Sequence, residues 1–234
     1  MATPASLQPQ LRLRRPLEAP LPPERPLPQA ARLRLVGAGT VPAWTVPARK
    51  GTVPIRGQSL GLASFRVRPY ARGDEAAWAR LLHDNGELGD WDEARVRHMI
   101  ARVEPKLLLD GAFFVVRGDE LVAAGCTMRH HSTAPSRRRR TARELLEISW
   151  VGVAPCARGH GLAYIVSRHI LAYWQPRTAG DVFILTDDWR VPAIVTYLRL
   201  GFRPEIVHPN QVERWRALAQ GFEGEPREWA MPPE

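Results

Sequence analysis

From Leu145 to Thr186 the chain reads as an apolar strand, a glycine-bearing turn, a helix and a second apolar strand. Leu145–Val153 and Asp181–Thr186 are apolar along most of their length, the pattern of strands covered on both faces. The helix between them spans Gly161 to Trp174. The surrounding text fits around this unit. Phe65–Pro69 alternates as a strand. Asp74 heads a helix to Asn85 whose Ala77, Leu81 and Leu82 share a face. A second helix runs from Trp91 or Asp92 to Val103. AFFVV, the turn Arg117-Gly118-Asp119 and ELVAAGCTM predict an antiparallel hairpin. Ala193–Leu200 predicts a helix stopped by Gly201. Phe202–His208 then closes the sheet, and a terminal helix starts near Val212. The order β-α-α-β-β-β-α-β-α-β implies a mixed α/β sheet flanked by helices, without an internal repeat.

The turn itself carries chemistry. In Val151-Gly-Val-Ala-Pro-Cys-Ala-Arg-Gly-His-Gly-Leu-Ala163 a buried strand ends and a helix opens. The first backbone N–H groups of a helix lack intrahelical acceptors and lie at the positive end of its dipole. That is an anion site. Gly159 and Gly161 let phosphate oxygens approach the backbone without a Cβ in the way, and Arg158 adds charge. Neither a G-x-x-x-x-G-K-[ST] loop nor a G-x-G-x-x-G fingerprint is present. On these residues alone, a strand-turn-helix joint with two loop glycines explains the segment equally well.

Residues 1–63 differ in kind. Eleven of the 22 prolines fall within residues 1–60, and Arg15–Gln29 cannot hold a helix. A proline-rich basic extension over 1–63, at least partly disordered, is therefore expected ahead of a domain over 64–234. Removing residues 1–30 should leave melting temperature and ligand affinity almost unchanged. The short apolar runs between Ala31 and Gly57 either stay unstructured or add edge strands, where proline is tolerated. The charge follows the same division. Nine Lys/Arg against Glu18 and Glu24 give residues 1–60 a net +7, leaving +2 of the total +9 for the remainder. All basic residues except Lys50 and Lys106 are arginine, a composition with a coding-bias explanation. Cys126 and Cys156 make no metal or disulfide framework. No apolar run reaches membrane-spanning length, no secretory signal is evident, and a cytoplasmic location is the plain expectation.

Two blocks together resemble the GNAT superfamily of acyl-CoA-dependent N-acyltransferases. The first is its strand-V-x-P, [QR]-x-x-G-x-[GA] motif, here Val153, Pro155, Arg158, Gly161 and Ala163. The second is Phe183 through Ala193-Ile-Val-Thr-Tyr197-Leu-Arg-Leu-Gly201-Phe202, similar to the superfamily's A-x-x-x-Y-x-x-x-G-F. The resemblance covers roughly residues 65–207. It implies a sheet of about six to seven strands in which a parallel pair, Leu145–Val153 and Val182–Thr186, splays into a V. Pantetheine would lie in the V against backbone along Val151–Val153, with the pyrophosphate over the amides of Arg158, Gly159, His160, Gly161, Leu162 and Ala163. Arg190 stands where many members have asparagine, so a pantetheine contact is replaced or the guanidinium reaches a phosphate. By the same resemblance Glu147 takes the place of the strand glutamate used as a base, and Tyr197 that of the tyrosine that protonates the departing thiolate. Against these stand two structural readings: Glu147 as a solvated charge at the start of a strand, and Tyr197 as a packed aromatic.

The activity so implied is transfer of an acetyl group from acetyl-CoA to a primary amine within a ternary complex. The acceptor would be a small molecule or a peptide, with no metal ion and no membrane partner; a homodimer is left open. The rival reading is a catalytically idle fold that binds nucleic acid through the basic tail and Arg137–Arg140. It lacks the interleaved aromatics of base-stacking surfaces. His130 and His131 end a strand near the acceptor side without a carboxylate or cysteine at metal-ligand spacing. Trp150 and Trp189 read as packing residues, and Cys156 as incidental.

Overall fold

The computed structural model describes residues 10–22, 53–54, 65–103, 105–131 and 144–220. Eight strands occur among them: β1 (Leu11–Pro16), β2 (Val53–Pro54), β3 (Phe65–Pro69), β4 (Lys106–Arg117), β5 (Glu120–His131), β6 (Glu144–Val153), β7 (Asp181–Thr186) and β8 (Arg203–Glu205). The helices are α1 (Glu75–Asp84), α2 (Glu93–Ala101), α3 (Leu162–Trp174), α4 (Val191–Arg199) and α5 (Gln211–Gln220). The strands form one sheet in the order β2-β3-β4-β5-β6-β7-β1-β8. Only β6 and β7 pair in parallel; the remaining ladders are antiparallel.

Helices cover both faces. Consecutive strand residues point to opposite sides. Phe113 meets Tyr173 of α3 at 5.7 Å between ring centroids, whereas Phe114 meets Trp78 of α1 at 5.1 Å. Helix α1 buries Trp78, Ala79, Leu81 and Leu82. Asp74 stands at its N-cap without capping it. The Asp74 carboxylate instead takes both prongs of the Arg68 guanidinium, at 2.6 and 2.7 Å. In α2 the Asp92 side chain does cap, accepting from the Arg95 N–H at 2.7 Å.

The N-terminal segment departs from the sequence expectation. Leu11–Pro16 lies inside the sheet, antiparallel to both β7 and β8, which brings the strand count to eight. Leu11 and Leu13 are fully buried and Leu17 nearly so. Arg12 and Arg14 project from the other face, where Arg12 pairs with Glu205 at 2.8 Å and Arg14 with Glu205 at 2.6 Å. Arg15 is 1% exposed. It survives burial because its guanidinium donates to the carbonyls of Pro16, Ala19 and Pro20 at 3.1, 2.6 and 2.8 Å. Thus Arg15 and Leu17, in a stretch expected to bury little, belong to the core. Val53–Pro54 pairs with β3 at the sheet's outer edge, the position open to a proline-containing strand. Most of the remaining extension lies outside the described residues.

Candidate active site

The parallel pair opens early. Leu146 registers with Val182 and Glu147 with Phe183, and the ladder stops there. Strand β6 nevertheless continues to Val153 and β7 to Thr186. Six residues of β6 at ~3.3 Å per residue give about 20 Å of strand beyond the last rung. The split therefore has a closed end at Glu147/Phe183 and an open mouth where α3 and α4 begin.

A bulge shapes the β6 arm. Cys126 pairs with Ser149 and Ala124 with Gly152, so Gly125 alone opposes Trp150 and Val151. Trp150 takes φ 53°, a conformation a bulky side chain rarely holds, and its ring packs edge-on against Trp91 at 4.6 Å. Beyond the bulge, the Ala154 N–H donates to Val122 O of β5 at 2.9 Å. The preceding peptide groups of Val153 thus turn away from β5, toward the split. There Asn85 Nδ2 donates to Val153 O at 3.0 Å, leaving the Val153 N–H as the group directed into the opening.

At the mouth a 3₁₀ turn, Pro155–Ala157, leads through Arg158 to α3. Gly159 has φ 89°. Gly161, the N-cap of α3, is left-handed at φ 68°, ψ 17°. The first intrahelical bond runs from the Ile165 N–H to Gly161 O at 3.1 Å, so the amides of Leu162 and Ala163 precede any intrahelical acceptor. No acidic residue occupies the first turn, and the positive end of the dipole is uncompensated. His160 Nδ1 lies 3.2 Å from both Ala157 O and Arg158 O, and its ring packs on Phe65.

The two arginines assigned to this region reach the same loop from opposite arms. Arg158 donates to Asn85 O at 2.5 Å and faces Glu87 at 3.7 Å. Arg190, after β7, donates to Glu87 O at 2.5 Å and pairs with Asp187 at 3.3 Å. The α1–α2 loop is thereby tied across the mouth, and Asn85 joins the candidate site without any motif in the sequence to mark it. Trp189 is 53% exposed, so it is not a core residue. Arg190 lies over its ring at 4.6 Å.

At the closed end Glu147 is only 14% exposed. Its carboxylate accepts from the Ser149 hydroxyl and meets His130 Nε2 at 2.6 Å. A solvated surface charge is therefore excluded. His130, Glu147, Phe183, Arg14 and Arg12 share the α1 face of the sheet, as their registers require. His130 packs on Phe183 at 5.3 Å and Arg12 lies over that ring at 4.2 Å. Tyr197 of α4 stands apart from this group. It is 6% exposed, packs on Phe202, and burial pushes its hydroxyl up to about 12, with Arg190 opposing. Cys126 is buried and its thiol raised well above the usual range by desolvation. Cys156 is exposed. The side chains of His131 and Arg137–Arg140 lie outside the described residues. Among the described residues no group of three His, Cys, Asp or Glu could hold a metal ion, and no helix is long and apolar enough to cross a membrane.

A mixed sheet with one unzipped parallel pair, and a left-handed glycine opening the helix at its mouth, defines the GCN5-related N-acetyltransferase fold. The chain has that fold. A GCN5-related N-acetyltransferase from Sphaerobacter thermophilus superposes with TM-score 0.52 at 16% identity, over 85% of this chain and 50% of that one. In sequence the chain is similar to mycothiol acetyltransferases. It is 30% identical over 203 residues to the one from Salinispora arenicola, covering 85% of this chain and 52% of the relative. With that of Acidothermus cellulolyticus the figures are 31% over 149 residues, 59% and 44%. The chain thus spans about half the length of the curated relatives it matches. No family model matches it.

Proposed function

We propose that the chain transfers an acetyl group from acetyl-CoA to a primary amine, directly, with both substrates bound at once. The observation that carries this reading is the open β6/β7 pair with the Gly159–Ala163 turn at its mouth. The described residues fit acyl-CoA. Backbone amides from Gly159 to Ala163 would hold the pyrophosphate, the Arg158 amide being turned instead to Pro155 O at 3.3 Å, and the strand edge at Val151–Val153 the pantetheine arm. Arg158 and Arg190 would add positive charge at the mouth. The Val153 carbonyl is already engaged by Asn85, so the free N–H of that residue is the stronger candidate for a cofactor contact. The co-substrate supplies an activated acyl thioester, and the protein's part is to orient it and move protons. Glu147 with His130 forms the basic end of the site. Tyr197, protonated because it is buried, would serve the departing thiolate.

The nucleic-acid alternative loses ground to one finding. Three cations of the basic tail are spent within the fold, Arg12 and Arg14 on Glu205 and Arg15 on backbone carbonyls. The names of the curated relatives favour an acetyltransferase, and a thiol-bearing amine is one member of the panel to test. Coenzyme A release from acetyl-CoA, followed across amino acids, amino sugars, polyamines and peptides, tests the reading. Release with one acceptor class, and an acetylated product by mass, supports it; no release with any, from protein that binds acetyl-CoA, removes the catalytic claim.

A further inference from the structure

Resting on the acyltransfer reading, we infer that His130, rather than Glu147, is the group that accepts the amine's proton, and that Glu147 is its positioning residue. Both carboxylate oxygens of Glu147 are engaged, Oε1 by the Ser149 hydroxyl and Oε2 by His130 Nε2 at 2.6 Å. The carboxylate is also the less accessible partner, 14% exposed against 29% for His130. An acceptor arriving at this end of the split meets the imidazole first.

The hydrogen-bond inventory sets the tautomer. A carboxylate offers only acceptors, so Nε2 carries the hydrogen and, in the neutral ring, Nδ1 is left with a lone pair. Among the described residues no hydrogen bond engages Nδ1. The ring is oriented by the Glu147 bond at Nε2 and by an edge contact with Phe183 at 5.3 Å. A carboxylate that fixes an imidazole's tautomer and then balances the imidazolium charge is a general device for making histidine a base. The step is an N–H cleavage. The proton of the acceptor ammonium bonds to the Nδ1 lone pair, the N–H electron pair stays on the amine nitrogen, and the imidazolium formed is paired with Glu147. Release of that proton to solvent restores the base. The charged groups on the same face are Arg12 and Arg14 of β1, both paired with Glu205 of β8, and Asp181 of β7, paired with Arg14.

Two measurements on the full chain separate this proposal from the reading beneath it. The first is the histidine ¹⁵N–¹H long-range correlation spectrum without any ligand. His130 should be protonated at Nε2 and bare at Nδ1, and Glu147→Ala should abolish that preference. A wild-type Nδ1-protonated tautomer would overturn the proposal whether or not any amine is turned over. The second uses the best amine from the panel with acetyl-CoA. His130→Gln should lower kcat about 10²-fold or more with acetyl-CoA affinity unchanged. Glu147→Gln, whose amide oxygen can still accept from Nε2, should lose roughly tenfold or less. If Glu147→Gln loses as much as His130→Gln while the tautomer persists, the carboxylate itself takes the proton. If wild type acetylates nothing, the acyltransfer reading fails and the spectrum alone decides the tautomer.

Discussion

Tyr197 occupies the position at which the sequence offers an acid catalyst, with a packed aromatic as the lesser alternative. Its burial favours a hydroxyl that keeps its proton, since desolvation penalises the phenolate. Under the acyltransfer reading, Tyr197→Phe should lower kcat by ~10²-fold and leave acetyl-CoA affinity nearly intact, because the proton is needed only as charge develops on sulfur. Full kcat in the variant, with chemistry rate-limiting, returns Tyr197 to packing. Its ionisation also has a stability consequence. An unfolded tyrosine titrates near pH 10, and this one is held up to about 12. The folded state therefore keeps a proton that the unfolded state loses. The contribution is complete below about pH 10 and is lost as pH rises toward 12. Tyr197→Phe should flatten that alkaline loss, which denaturant titrations at pH 8 to 11 would detect; an unchanged slope would show that the buried hydroxyl does not govern it. The sequence shows such residue types and their spacing along one strand. It does not show register. Glu147 and His130 are 17 positions apart and meet because β5 and β6 align as they do. Trp150 was illegible for another reason: a left-handed backbone is a glycine signature, and tryptophan gives no hint of it.

Strand β1 is the element that the sequence most effectively hid. Its period-2 pattern is present, Leu11-Arg12-Leu13-Arg14, with leucines to the core and arginines to the polar face. Proline-rich text follows directly, and its partners lie far along the chain at Asp181–Thr186 and Arg203–Glu205. Only the fold reveals that the sheet leaves a gap between β7 and β8 for a strand to fill. The expectation that residues 1–30 are dispensable is therefore reversed. Leu13→Ala should cost about 2–5 kcal/mol, and removal of residues 1–22 should lower the melting temperature sharply, since it takes three buried leucines, worth ~2 kcal/mol each, out of the core. A thermal melt unchanged by the deletion would mean that β1 adds nothing to the sheet. The α3, β6 and β7 elements were legible because each is local: apolar runs of the right length, closed by glycine or led by a turn. Phe202–His208 was longer in expectation than β8, which keeps only three residues where β1 offers partners.

At the scale of the molecule, one architecture explains why the Gly159–Ala163 turn, the arginines and the Glu147–His130 pair lie where they do. The parallel pair separates after a single shared stretch, with the Glu147–His130 pair at its closed end, the Gly159–Ala163 turn at its mouth, and the α1–α2 loop tied to both arms through Asn85 and Glu87. Whole-chain charge suggested a polyanion partner, but arginines within the N-terminal strand serve the sheet itself. The claim on which the rest depends is that this opening holds acyl-CoA with its pyrophosphate over Gly159–Ala163. Calorimetric titration of acetyl-CoA into wild type and Gly161→Val addresses it directly. A valine at φ 68° carries about 1–3 kcal/mol of backbone strain and puts a branched side chain beside the helix amides, so the variant should melt somewhat lower yet remain folded. Saturable binding to wild type that disappears in Gly161→Val is the predicted result; equal affinity in a folded variant, or no binding to wild type, would contradict it.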